Sequence, residues 1–251
     1  MIAWGNQTAV VTGASSGIGK AIALSLAAQG AAVCLVGRTL EKLQPVAESA
    51  RIKASRVAVY QADLTVDEDI RELKRRLERD FLSIEVLIHS AGVISIGALE
   101  SAPVEFDRQY RVNLRAPYLL TQSLLPMLRT GQGQVVFINS LVGLNAKGAS
   151  GQYSATKHAL KALADSLREE VNPDGLRVLS VFLGRTASPM QAAVHRMEGR
   201  AYKPELLIRP EDVADLVLSA LSLARTAEVT DITIRHSLKR PDSVQTCDAR
   251  H

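Results

Sequence analysis

Cysteine is nearly absent from this chain. The two residues, Cys34 and Cys247, lie in an apolar run (AAVCLV) and in a polar tail, with no partner at metal-type or redox-type spacing. That usage excludes a disulfide framework and fits a reduced intracellular chain. Long apolar runs are lacking too, so no stretch approaches the length that crosses a bilayer. The opening MIAWGNQ has no basic region leading into an apolar one, so no signal peptide is expected and the expected compartment is the cytoplasm. Strong charge of one sign is also missing. A net charge of +4 permits attraction to anionic small molecules but falls short of a nucleic-acid stripe. The densest charge run, RELKRRLERD at 71–80, mixes signs at helical spacing and reads as a solvated helix face. There is no internal repeat, no low-complexity segment, and no His, Cys and acid cluster at metal-ligand spacing.

What is present is a hydrophobic content of 47%, enough for a large core in one α/β domain. Apolar runs at 8–12, 32–36, 55–60, 84–89, 134–139, 176–183 and 230–234 read as strands. Most are β-branched and apolar on both parities, as strands covered on both faces should be. Between them, 18–29, 39–50, 66–79, 104–129, 151–171 and 210–224 carry apolar residues three and four apart, the helical period. Pro210 followed by EDVADLV fits a helix start. Strand and helix in alternation predict βαβ units and a mainly parallel sheet. The segment 184–209 is a long connection after a strand's carboxyl end, where such folds keep substrate contacts. The tail 239–251 lacks periodicity and is expected to fray.

The stretch TGASSGIGK (12–20) joins the first strand to the first helix. A Walker A loop fails at both ends, because Ala14 stands where its first glycine belongs and Ala21 where Ser or Thr must follow the lysine. Gly13, Gly17 and Gly19 suit a dinucleotide site instead. Gly13 turns the chain off the strand, Gly17 lets backbone approach a pyrophosphate, and Gly19 lets the helix pack on the sheet. The helix N-terminus offers free N–H groups to phosphate. Ser15 and Ser16 are placed either to bind that phosphate or to cap the helix. Lys20 is a bystander on the helix. An NAD site ends its second strand in an acid roughly 20 residues beyond the glycines. Here Gly37 stands in that position and Arg38 follows, which favours NADP(H) over NAD(H).

In GQYSATKHALKALADSLREEV (151–171), Tyr153 and Lys157 lie one turn apart on one helix face. A tyrosine with an ordinary pKa of about 10 is a poor proton donor or acceptor at neutral pH, and a cation one turn away is expected to lower it. Ser140 ends the fifth strand, at the sheet edge where ligands bind.

Taken together, TGASSGIG (12–19), Asp63, HSAG (89–92), Asn113, Ser140, Tyr153–Lys157 and LGRTAS (183–188) stand in the order and spacing of the short-chain dehydrogenase/reductase family, and the chain resembles it over about residues 5–235. The resemblance implies a single three-layer α/β/α Rossmann domain over 1–238, with a seven-stranded parallel sheet in the order 3-2-1-4-5-6-7. It implies NADP(H)-dependent interconversion of a carbonyl and a secondary alcohol. Tyr153 would be the general acid or base, Ser140 would hold the substrate oxygen, and Lys157 would hold the nicotinamide ribose and depress the tyrosine pKa. Asn113 would anchor a relay water. The cofactor would also meet Ile18 and Ser90, with Asp63 and Leu64 at the adenine, Ala91 and Gly92 at the ribose, and Gly184, Thr186 and Ser188 at the nicotinamide. A homodimer or homotetramer pairing the helices at 104–129 and 151–171 is expected.

Two positions depart from the family pattern. Ser90 replaces an asparagine and is expected still to bond backbone. Leu183 replaces a proline, and is expected to loosen the turn over the nicotinamide. His89 and His158 are expected to be structural, whereas His195 and Arg196 could touch substrate. Two other readings compete: a non-catalytic NADP(H)-binding regulator, opposed by the retained polar quartet, and a sugar-nucleotide epimerase or dehydratase, for which 184–209 leaves little room.

Overall fold

The structure is a computed structural model, and it describes residues 4–97, 99 and 101–237. The tail expected to fray, 239–251, lies outside them. Seven strands form one parallel sheet: β1 (Thr8–Thr12), β2 (Ala32–Gly37), β3 (Arg56–Gln61), β4 (Val86–His89), β5 (Gln134–Ser140), β6 (Arg177–Leu183) and β7 (Asp231–Ile234). Their order is β3-β2-β1-β4-β5-β6-β7, as expected. The helices are α1 (Gly17–Ala28), α2 (Leu40–Ala50), α3 (Asp67–Asp80), α4 (Pro103–Tyr110), α5 (Ala116–Thr130), α6 (Gly151–Val171), α7 (Pro189–Met197) and α8 (Pro210–Leu221).

Strand parity sorts the core into two layers. Ala9, Val11, Val33, Leu35, Val86 and Ile88 pack with α1, α2 and α8 through Ile22, Leu26, Leu43, Val46, Val213 and Val217. The alternate residues Val10, Cys34, Val36 and Leu87 pack with α3, α5 and α6 through Leu73, Leu77, Leu120, Leu124 and Leu160. A strand buried on both faces must be apolar at both parities, which is why these runs do not alternate. The sheet is therefore the middle of three layers.

Two expected elements differ. The helix expected over 104–129 is not one α-helix: five residues, Arg111–Arg115, form a π-helical turn between α4 and α5. The connection 184–209 holds a helix of its own, α7, started by Ser188 and Pro189. The Ser188 hydroxyl accepts from Gln191 N at 3.1 Å, the ordinary N-cap bond. The two ends of this connection are stitched together, with Ala187 N on Ile208 O at 2.8 Å and Ile208 N on Arg185 O at 3.1 Å.

In this order β1 has β2 on one side and β4 on the other, and the chain leaves the sheet in opposite directions from there. The loops after β1 and β4 part at this switch point and leave a crevice at the carboxyl edge.

Candidate active site

At the crevice, the chain turns off β1 at Gly13 with φ of +65°. A Cβ there would stand 2.8 Å from Ala91 N, so the turn needs glycine for conformation and for space. Gly19 abuts the same turn, where a Cβ would fall 2.5 Å from Gly13 O; the expected close approach of α1 is therefore present. Ser16 occupies the N-cap of α1 but makes no side-chain cap bond, and the Ser15 and Ser16 hydroxyls have no partner among the described residues. The helix end is thus uncapped and polar, a cradle suited to phosphate.

A cleft of about 230 Å³ runs from Arg38, Asp63 and Leu64 past Gly13, Ser15, Ser16, Gly17 and Ile18 to Ala91, Gly92 and Ser188. Arg38 is exposed at its far end, with no ion-pair partner for its guanidinium among the described residues. Asp63 shapes the turn after β3, its Oδ1 accepting from Thr65 N at 2.9 Å and Thr65 Oγ1 at 2.8 Å. Lys20 lies outside this cleft, as expected.

A second cavity, about 370 Å³, contains Ser140, Tyr153 and Lys157. It shares Ile18, Ser90, Ala91, Gly92, Ser188 and Met190 with the first, so the two are continuous. Lys157 is 5% exposed, and its Nζ donates to Ile138 O at 3.0 Å. It stands 5.8 Å from the centre of the Tyr153 ring. Asn139 joins β5 to α6 by donating from Nδ2 to Lys157 O at 3.1 Å while its Oδ1 accepts from Ser140 N at 2.8 Å. Gly143 makes that junction possible, since a Cβ there would fall 2.6 Å from Asn139 Oδ1.

The electrostatics of the pair differ from the expectation. Desolvation pushes the Tyr153 phenol up to about 12, with the Ser140 hydroxyl pulling the other way. Desolvation alone pushes Lys157 down to about 8. For Tyr153, removal from water outweighs the Ser140 hydrogen bond.

Asn113 lies in the π-helical turn and is 1% exposed. Its Oδ1 accepts from Val93 N and its Nδ2 donates to Val93 O, both at 2.9 Å. Nδ2 also donates to Thr156 Oγ1 at 3.2 Å. One amide hydrogen thus holds the loop after β4 and the other ties the π-helical turn to α6, while Oδ1 accepts a single bond and keeps a second acceptor position.

The two departures also resolve differently. The Ser90 hydroxyl makes no hydrogen bond among the described residues. The strand end is held by Thr12, whose Oγ1 accepts from Ser90 N at 3.1 Å and Ala91 N at 3.2 Å and donates to Ile88 O at 3.2 Å. Leu183 does not loosen its turn. It is a buried strand residue in register with both Ser140 and Ile234, and Gly184 N continues the ladder onto Ile234 O at 2.9 Å. Beyond it, Thr186 Oγ1 donates to Gly184 O at 3.1 Å.

His89 is buried, stacks on Phe137 at 4.9 Å and shares a 2.7 Å hydrogen bond with Thr121 Oγ1. Burial pushes it down to about 3, so it is a neutral core residue. His158 shares a 2.9 Å hydrogen bond with Ser154 O, within its own helix. His195 packs edge-on against Tyr202 at 5.5 Å. Neither His195 nor Arg196 lines the cavity; α7 offers Met190, Gln191 and Val194, and Glu198 follows. Those residues and Lys147 escaped the sequence reading. The Ser-Pro pair at 188–189 was a legible helix start, whereas nothing local marks Lys147.

A family model, short chain dehydrogenase, matches residues 7–199. This chain belongs to that family. An oxidoreductase of Staphylococcus aureus (strain USA300) is 34% identical over 92% of this chain and 97% of its own length. Among solved structures, an alcohol dehydrogenase from the archaeon Thermococcus sibiricus, complexed with 5-hydroxy-NADP, superposes with a TM-score of 0.86 at 27% identity, over 94% of this chain and 99% of that one. A metagenomic short-chain oxidoreductase in complex with NADP gives 0.82 at 31% identity, over 95% and 100%. The chain is thus an oxidoreductase of the short-chain dehydrogenase type. Among the described residues of this short-chain dehydrogenase, no helix is long and apolar enough to cross a membrane, and no cluster of His, Cys, Asp and Glu could hold a metal.

Proposed function

We propose that the protein interconverts a carbonyl compound and a secondary alcohol with NADP(H), using Tyr153 as the proton donor or acceptor. The observation that carries this is the continuity of the two cavities: Ser140, Tyr153 and Lys157 face a space that opens into the glycine-lined cleft. Bound there, the cofactor supplies or accepts the hydride. The chain's own residues supply placement and the proton.

Gly13, Gly17 and the uncapped start of α1 hold the pyrophosphate, and Asp63 and Leu64 border the adenine. Arg38 meets the 2′-phosphate. Its free guanidinium, and the lack of an acid at Gly37, support NADP(H) over NAD(H). The relatives solved with NADP or an NADP derivative fit the same reading. Gly184, Thr186 and Ser188 border the nicotinamide.

Ser140 hydrogen-bonds the substrate oxygen. Tyr153 is protonated at neutral pH, as an ordinary phenol is and more firmly for its burial, and in that form gives a proton to that oxygen during reduction. Lys157 has a pKa near the working range and returns a proton toward the phenol. Behind it Asn113 anchors the water that relays the proton between Lys157 and solvent, its Oδ1 having one acceptor position beyond the bond from Val93 N.

The test is NADPH oxidation with a panel of ketones and aldehydes. Tyr153→Phe should lose about 10²–10⁴ in kcat with cofactor affinity within a factor of about two. Alcohol oxidation by the wild type should rise with pH, since it requires the deprotonated phenol. If NADPH binds yet no carbonyl compound is turned over by the wild type above blank, the proposal fails.

A further inference from the structure

Four charged residues line the cavity around Ser140 and Tyr153: Lys147, which is exposed, Lys157, Arg185 and Glu198. Three are already engaged. Lys157 is buried, with its ammonium on Ile138 O. Arg185 and Glu198 form a two-point pair at 2.7 and 2.5 Å, and Arg200 brings a second cation within 3.8 Å of the same carboxylate. Glu198 therefore has no charge left over to neutralise another group.

Lys147 has no ion-pair partner among the described residues. Its backbone is nevertheless fixed. Lys147 O accepts from Ser150 Oγ at 3.0 Å and from Ser150 N at 3.4 Å. Two residues on, Ala149 is held at φ of +57°, the left-handed region that a residue with a Cβ adopts only when its surroundings impose it. The imposing contact is Gly97 N, which donates to Ala149 O at 2.9 Å and ties this turn to the segment after β4. Ile94, Ile96, Leu141, Val142, Met190 and Val194 give the wall a large aliphatic part, beside polar groups such as Ser150, Thr186 and Gln191.

An unmatched cation on a fixed turn, at the rim of a partly aliphatic cavity with a proton donor inside, is complementary to a molecule with an anion at one end. We propose that Lys147 reads the substrate: the cavity takes an aliphatic oxo or hydroxy compound carrying a carboxylate or phosphate, which docks on the Lys147 ammonium while the carbonyl lies between Ser140 and Tyr153. This rests on the carbonyl-reducing reading above. It also moves the basic contact away from 184–209, where Arg185 is consumed by Glu198.

The experiment compares an aliphatic oxo acid, its methyl ester and a hydroxyketone phosphate as substrates, at low and at moderate salt. Lys147→Ala and Lys147→Glu are run beside the wild type. The wild type should prefer at least one anionic compound over the ester by about fivefold to tenfold in kcat/KM at low salt, a gap that narrows as salt screens it. Whichever of the oxo acid and the phosphate is preferred identifies the anion. Lys147→Ala should lose the preference through KM with kcat little changed, and Lys147→Glu should invert it, while the ester is handled equally by all three proteins. Equal or better use of the ester by the wild type overturns the inference, as does a preference that survives Lys147→Ala. In either case ester reduction that depends on Tyr153 leaves the parent reading standing. Silence on all compounds with NADPH bound overturns both.

Discussion

Lys157 shows how a residue fitted for chemistry weighs on stability. Its ammonium is buried, so the neutral form is favoured on folding and the pKa falls from 10.5 to about 8. Below about pH 8 both folded and unfolded chains carry the proton, and the folded state bears the full burial cost. Between about 8 and 10.5 the unfolded chain still binds a proton that the folded chain has released, and the cost is progressively relieved. The wild type should therefore gain stability relative to Lys157→Met as pH rises through that window, by up to about 3 kcal/mol. Urea denaturation of both proteins from pH 7 to 10.5 checks the slope. A difference that is flat or falling would show that the ammonium is solvated. Tyr153 adds the opposite trend above pH 10, where its raised pKa makes folding lose ground, but it is common to both proteins and drops out of the difference.

Among the elements, α8 depends on one side chain from the sheet. Arg177, 7% exposed, donates from Nη1 to Leu223 O, Ala224 O and Ala227 O and from Nη2 to Leu221 O. These carbonyls lie at the end of α8, where a helix leaves its last acceptors unpaired, and in the turn after it, and Gln134 adds a further bond to Leu221 O at 3.1 Å. Replacement by an apolar residue removes all four of these charge-assisted bonds, leaving Leu221 O with Gln134 and Ala224 O with Ala227 N. Arg177→Leu should lower stability by about 2–4 kcal/mol, read from the urea midpoint. Cofactor affinity should change little, because α8 packs on α1 well away from the Arg38 end of the cleft. A loss below 0.5 kcal/mol would mean that water replaces the guanidinium. The π-helical turn is a second lesson at this scale. The apolar period from 104 to 129 is continuous enough to predict one helix, but the bond from Asn113 to Val93 across the crevice is not visible in that period, and the extra residue of the turn sets the side chain to reach it.

For the whole molecule, cofactor binding couples to stability across both lobes of the sheet, because the cleft draws on residues from Gly13 to Met190. A ligand at about 100 times its Kd stabilises by about 2.7 kcal/mol, which for a chain of this size raises Tm by several degrees. NADPH should raise Tm more than NADH at equal concentration, and Arg38→Ala should bring the two shifts together. A larger shift with NADH in the wild type would reverse the assignment of Arg38.

The strands, their order and most helix limits could be read from the chain, because a strand covered on both faces must be apolar at both parities and a helix must repeat its apolar face every turn. The glycine elbow was equally legible: a left-handed turn and a close backbone approach leave few alternatives to glycine. Ser140, Tyr153 and Lys157 could be named as well, since one helix turn and one strand end bring them together by local geometry. Only the tertiary structure decided how those groups are charged and what else faces them. Burial, which no spacing reveals, sends Tyr153 up and Lys157 down. Arg185, one of several basic residues in its stretch, is cancelled by Glu198, which lies beyond α7. Lys147, unremarkable in its own segment, borders the cavity on a turn that Gly97 and Ser150 hold. Properties set by a residue's own backbone neighbours are written locally; those set by desolvation and by contacts between distant segments exist only once the chain has closed on itself.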